Sequence, residues 1–166
     1  AKFAPKTVSI NYVSDGAQAT ANGTAIPATP KTYGLGAQLT TATPDKTEQG
    51  YTFLGWSENA DATVPAYKSG EMYNVDTEDN VTLYAVWQMN VYNIVINAGE
   101  GYTVHTDGAL MSVKHGEKFK FRVVTAAAFA KNPPSIWVNP NAAYKLLNDY
   151  TTSTEGEAAQ HVYEYE

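Results

Sequence analysis

Residues 7–13, TVSINYV, alternate without a break: Val8, Ile10 and Tyr12 fall on one side of an extended chain, Thr7, Ser9 and Asn11 on the other. A side-chain period of two belongs to a strand with one buried face and does not fit the 3.6-residue repeat of a helix. The pattern returns in YTFLGW (51–56), VTLYAVW (81–87), VYNIVI (91–96), YTVHT (102–106) and KFKFRVV (118–124). SIWVN (135–139), AYKLL (143–147) and HVYEYE (161–166) are further candidates. In KFKFRVV the expected inward set is Phe119, Phe121 and Val123, with Lys118, Lys120 and Arg122 toward water. In YTFLGW the alternation sets Tyr51, Phe53 and Gly55 against Thr52, Leu54 and Trp56.

The punctuation agrees. Asp15-Gly16 and Asn22-Gly23 supply the positive-φ positions of tight hairpin turns. Pro27 and Pro30 have no N–H to give a ladder, so any strand in AIPATPKTY belongs at a sheet edge. Ala37–Thr41 is helix-permissive, but Pro44 limits it to one brief helix at most. The nineteen threonines push the same way, because β-branched side chains suit a pleated surface better than a helix. The expected class is all-β or mainly β. One strand closes at Trp87 and the next opens at Val91, which predicts two β domains, 1–88 and 89–166, joined through a connection too short to act as a flexible coil.

The stretches VSINY, GYTFLGW and VTLYAVW, with a Gly- and Asp-containing insert between the last two, resemble the Listeria–Bacteroides type B-repeat of internalin-like surface proteins. The resemblance spans residues 7–88 and implies a compact β-grasp-like module whose aromatics form its core. Residues from Val91 on, with GEGYTVHTDGALMSVKHGEKFKFRVV and IWVNPNAAYKLL, look like a second bacterial surface repeat, which implies an immunoglobulin-like β-sandwich. The core expected across the two modules comprises Tyr51, Phe53, Trp56, Leu83, Trp87, Phe119 and Phe121. Both resemblances imply an extracellular or cell-surface setting and a role as stalk, spacer or adhesive module. The implied partners are neighbouring domains of the same chain and a host or bacterial surface protein or glycan.

Other functions find little footing. The net charge is −6 and Arg122 is the single arginine, so the cationic surface that phosphate backbones require is missing and no nucleic-acid partner is expected. Without cysteine there is no disulfide, thiol nucleophile or thiolate metal site. No apolar run approaches the roughly 20 residues of a membrane helix, and the sequence shows neither initiator Met nor leader, so a soluble fragment or processed chain is expected. His105, His115 and His161 are scattered, and DTEDN (76–80) lacks the glycine and closing glutamate of a calcium loop; no metal or cofactor is expected. No GxSxG elbow or phosphate loop occurs, and no catalytic residue is proposed. The lysines of KFKFR face outward by pattern, which weighs against a lysine–asparagine cross-link. Trp137 falls opposite the inward pair Ile136 and Val138; with Tyr144 and Tyr150 it is the candidate surface for stacking on a glycan or protein partner.

Overall fold

The structure, a computed structural model, describes residues 4–74, 76–97, 99–106, 112–125, 137–138, 145–146, 151–155 and 160–165. Contacts within the chain divide it into two compact units, residues 1–90 and 91–166. All described regular structure is β, and no described residue is helical.

Unit 1 holds β1 (Thr7–Ser14), β2 (Ala17–Gln18), β3 (Thr20–Ala21), β4 (Thr24–Ala25), β5 (Thr29–Thr32), β6 (Gly36–Gln38), β7 (Tyr51–Ser57), β8 (Met72–Asn74) and β9 (Val81–Met89). β1 is central. Along one edge it pairs antiparallel with β2 and β5; along the other it runs parallel to β9, with Ile10 opposite Val81 and Val13 opposite Tyr84. β9 then pairs antiparallel with β7. Pro30 sits in β5, which pairs only with β1 among the described strands, so its missing N–H breaks no ladder there. The β1–β2 and β3–β4 connections are tight turns at Asp15-Gly16 (φ 51° and 78°) and Asn22-Gly23 (φ 51° and 75°).

The core lies on the face of β1 that carries Val8, Ile10 and Tyr12, together with Leu39, Trp56, Tyr73 and Leu83. The brief helix allowed for Ala37–Thr41 does not form. Ala37 and Leu39 are both buried and Gln38 between them is exposed, so the segment follows a period of two, and β6 pairs antiparallel with β8. The face assignment within YTFLGW also changes. A bulge shifts the register between Phe53 and Gly55, leaving Leu54 without a partner on β9 and bringing Phe53 and Trp56 to the same side, with ring centroids 5.1 Å apart. Gly55 makes this possible. Its φ is +149°, and a Cβ there would lie 2.3 Å from the Tyr67 carbonyl oxygen and 2.8 Å from Pro65 Cβ.

Unit 2 holds β10 (Val91–Asn93), β11 (Tyr102–Thr106), β12 (Ser112–Lys114), β13 (Phe121–Thr125), β14 (Trp137–Val138), β15 (Lys145–Leu146), β16 (Thr151–Glu155) and β17 (Gln160–Tyr165). Its four-stranded antiparallel sheet has the order β11-β13-β17-β16; β10–β12 and β14–β15 are separate antiparallel pairs. The strand read at 118–124 begins later, at Phe121, and that read at 91–96 ends early, at Asn93. Val123 and Thr125 are buried, while Phe119 and Phe121 are half-buried and stacked, centroids 6.1 Å apart.

Candidate functional site

Of the expected core, Trp56 and Leu83 are fully enclosed, and Phe53 is half-buried against Trp56. Tyr12 also packs against Trp56, centroids 4.9 Å apart. Removing a ring of this size from water covers roughly 150–250 Å², worth about 4–6 kcal/mol at about 25 cal/mol per Å². Trp56 Nε1 has no hydrogen-bond partner, a cost of about 1–3 kcal/mol, so burial of the ring wins. Tyr51 and Trp87 occupy a different setting. Both are half-buried, at the end of the β7–β9 ladder, and the Lys46 ammonium lies 4.9 Å from the Tyr51 ring centroid and 5.8 Å from that of Trp87.

Lys46 belongs to a strap of irregular chain, residues 40–47, fastened by two carboxylates. Its ammonium pairs with Asp15, whose other carboxylate oxygen accepts the Thr47 N–H at 3.2 Å. Asp45 accepts three hydrogen bonds: from the Thr20 hydroxyl at 2.8 Å and from the N–H groups of Asn22 at 2.9 Å and Gly23 at 2.8 Å. The strap thereby grips the left-handed turn of the β3–β4 hairpin. The Gly23 N–H, then the Thr20 hydroxyl and the Asn22 N–H, hold the Asp45 carboxyl below the usual carboxylate range. At Asp15 partial burial pushes upward, but Lys46 and the Thr47 N–H together outweigh it and the net direction is also down.

A second fastening holds the excursion between β7 and β8. Tyr67 and Tyr73 both donate to Glu58 Oε1, at 3.2 and 3.0 Å, and their rings meet edge to face at 5.0 Å. Burial first, then the charge of and hydrogen bond to Glu58, raise both phenols above their ordinary range. A groove of about 280 Å³ lies beside β1, lined by Asn11, Tyr12, Val13, Gln18, Ile26 and Ala28. The Asn11 and Gln18 amides donate to the Val81 and Ile26 carbonyls, and the Tyr12 hydroxyl is engaged by Thr29 and Thr40. No charged group lines the groove.

The side chains that the sequence offers as a stacking surface fall outside what the structure describes. Trp137 opens β14, its backbone opposite Leu146, and its side chain lies outside what the structure describes; Tyr144 and Tyr150 lie outside the described residues altogether. His105 and His115 are exposed, the latter 3.2 Å from the Tyr92 hydroxyl. Among the described residues no group of three His, Asp or Glu side chains is placed to hold a metal ion. The DTEDN stretch enters β9 with Glu78 paired to Lys6 at 3.1 Å and Asn80 accepting the Ser9 N–H at 2.9 Å. Asp15, Asp45 and Glu58 had no signal in the sequence, since their partners lie up to 32 residues away with nothing local to mark them.

Residues 9–86 match the family model of the Listeria-Bacteroides repeat domain, nearly all of unit 1 and none of unit 2. A protein of Evansella cellulosilytica, described only as a Gly-rich membrane protein, is 39% identical over 57 residues, which is 34% of this chain and 6% of that protein. The chain thus spans a small fraction of that relative's length. No solved structure matches. No helix among the described residues is long and apolar enough to cross a membrane.

Proposed function

We propose that the chain is a non-catalytic segment of a bacterial cell-surface or secreted protein, serving as a stiff spacer or adhesion stalk. Unit 1 is a β-grasp-like B-repeat module and unit 2 an immunoglobulin-like sandwich. The observation that carries the spacer reading is the parallel pairing of β1 and β9. Because the first and last long strands of unit 1 point the same way, the chain arrives at one end of the sheet and leaves at the other; β9 alone, nine residues long, spans roughly 30 Å. A module built this way lengthens a polypeptide, whereas antiparallel terminal strands would double it back. A single residue, Asn90, separates β9 from β10. Its N–H donates to the Gly50 carbonyl at 2.8 Å and its side chain meets the Thr52 hydroxyl at 2.6 Å, which ties the last residue of unit 1 to the β7–β9 ladder.

Support for the sandwich reading of unit 2 comes from Tyr102. Its hydroxyl donates to the Asn97 carbonyl at 2.9 Å, and its ring covers Gly99 so closely that a Cβ there would lie 2.3 Å from the ring. A tyrosine tied back to main chain a few residues upstream resembles the corner of Greek-key sandwiches, here at the start of the second strand of the unit and not of the sixth.

The match of residues 9–86 to a repeat family supports the cell-surface setting. The test pairs small-angle X-ray scattering with glycan and surface-protein arrays. An elongated particle with no array signal is expected. A glycan or protein signal lost on Trp137→Ala with folding intact would replace the spacer with a binding module.

A further inference from the structure

We infer that the β1–β9 pair is a mechanical clamp: tension along the chain loads unit 1 in shear, and its resistance is concentrated in this one parallel ladder. The inference rests on the spacer reading for its biological use, but its geometry stands on the strands alone. Pulling the start of β1 and the end of β9 in opposite directions slides two parallel strands along each other. Every rung then carries load together, and all must fail before the strands separate. In an antiparallel pair pulled apart from adjacent ends, the rungs break one after another and each faces the full force alone.

Residue-level detail identifies the rungs. Main-chain groups of successive strand residues face opposite edges. The Tyr12 carbonyl accepts the Ala19 N–H at 2.9 Å, so even-numbered residues of β1 serve the β2 and β5 edge. Ser9, Asn11 and Val13 therefore turn their main-chain groups to β9. The ladder also extends past the paired register. Ser9 N–H reaches Asn80 Oδ1 at 2.9 Å, one residue before β9 begins, and Asn11 Nδ2 reaches the Val81 carbonyl at 3.4 Å. Asn80 thus acts as an added side-chain rung at the end of the clamp where tension enters β1.

The chain has no native cysteine, so paired cysteine handles are unambiguous. With the full chain held through Pro5→Cys and Val91→Cys, single-molecule force spectroscopy loads β1 against β9. With Gln49→Cys and Val91→Cys, the same chain peels β7 from β9, whose ends at Tyr51 and Met89 are partners. Events from unit 1 are recognised by the length released, roughly 3.3–3.6 Å per residue. A several-fold higher unfolding force in the first geometry is expected. Asn80→Ala should lower that force and leave the peeling force unchanged. Equal forces in both geometries, or a shear force untouched by Asn80→Ala, would overturn the clamp. Either result leaves the spacer reading to the scattering and array test.

Discussion

The strap at residues 40–47 and the excursion between β7 and β8 are both irregular stretches of unit 1 tied down by carboxylates, yet the ties are of opposite kinds. Asp15 and Asp45 serve as anions, gripping an ammonium and main-chain N–H groups, and both are held below the ordinary carboxylate range. At Glu58 the gripped groups are neutral phenols that must keep their protons, and both are held above the ordinary tyrosine range. The difference teaches that one fold places its acid and alkaline weak points on separate segments, because the partner rather than the carboxylate decides which proton matters.

The largest effect expected in this comparison is at the seat of the excursion. Gly55→Ala places a Cβ against the Tyr67 carbonyl in a backbone conformation that disfavours side chains, and should cost about 2–4 kcal/mol in urea unfolding. A stability unchanged within error would show that the Tyr67 segment can lift away freely. Next comes Tyr73→Phe, which removes one hydrogen bond to a carboxylate and should cost about 1 kcal/mol at neutral pH.

The pH dependence separates the two fastenings. Tyr67 and Tyr73 have folded pKa values above the unfolded value of 10.0, so their contribution is complete below that value and fades as pH rises above it. Tyr73→Phe should flatten that alkaline decline in a series of denaturant melts. Asp15 and Asp45 have folded values below the unfolded value of 3.8, so their contribution is complete above it and is lost as pH falls further. In the Asp15→Asn, Asp45→Asn double variant the acid decline should shrink, and amide exchange at Asn22 and Gly23 should quicken without global unfolding. Should the double variant keep the parent's acid profile, the strap is not held by these charges. The smallest effect is expected for Lys46→Met, about 0.5 kcal/mol, because the Asp15 pair is near the surface. Its clearest readout is tryptophan fluorescence, since the cation over Trp87 disappears.

Much of the fold was legible in the sequence because the signals are local. Alternation gave β1 its buried face of Val8, Ile10 and Tyr12, the Asp-Gly and Asn-Gly pairs marked both left-handed turns, and Pro30 marked an edge strand. Short, polar or irregular strands were missed. β8 and β12 hide in turn-rich inserts, and β16, TTSTE, carries no apolar alternation at all. Of the candidate site, the sequence offered aromatic positions but no convergent chemistry, and the structure's own polar clusters rest on pairings between distant segments.

What the amino-acid order determined by itself is therefore the β class and the turns, both consequences of side-chain periodicity and backbone stereochemistry within a few residues. Tertiary structure alone decided the rest. The bulge at Leu54 turned Trp56 onto the side of Phe53, the parallel register joined Ile10 to Val81, and the carboxylates of Asp15, Asp45 and Glu58 found their partners. Each of these depends on which segments meet once the whole unit closes around its core, and on the free energy of that closure, which no short window of sequence contains.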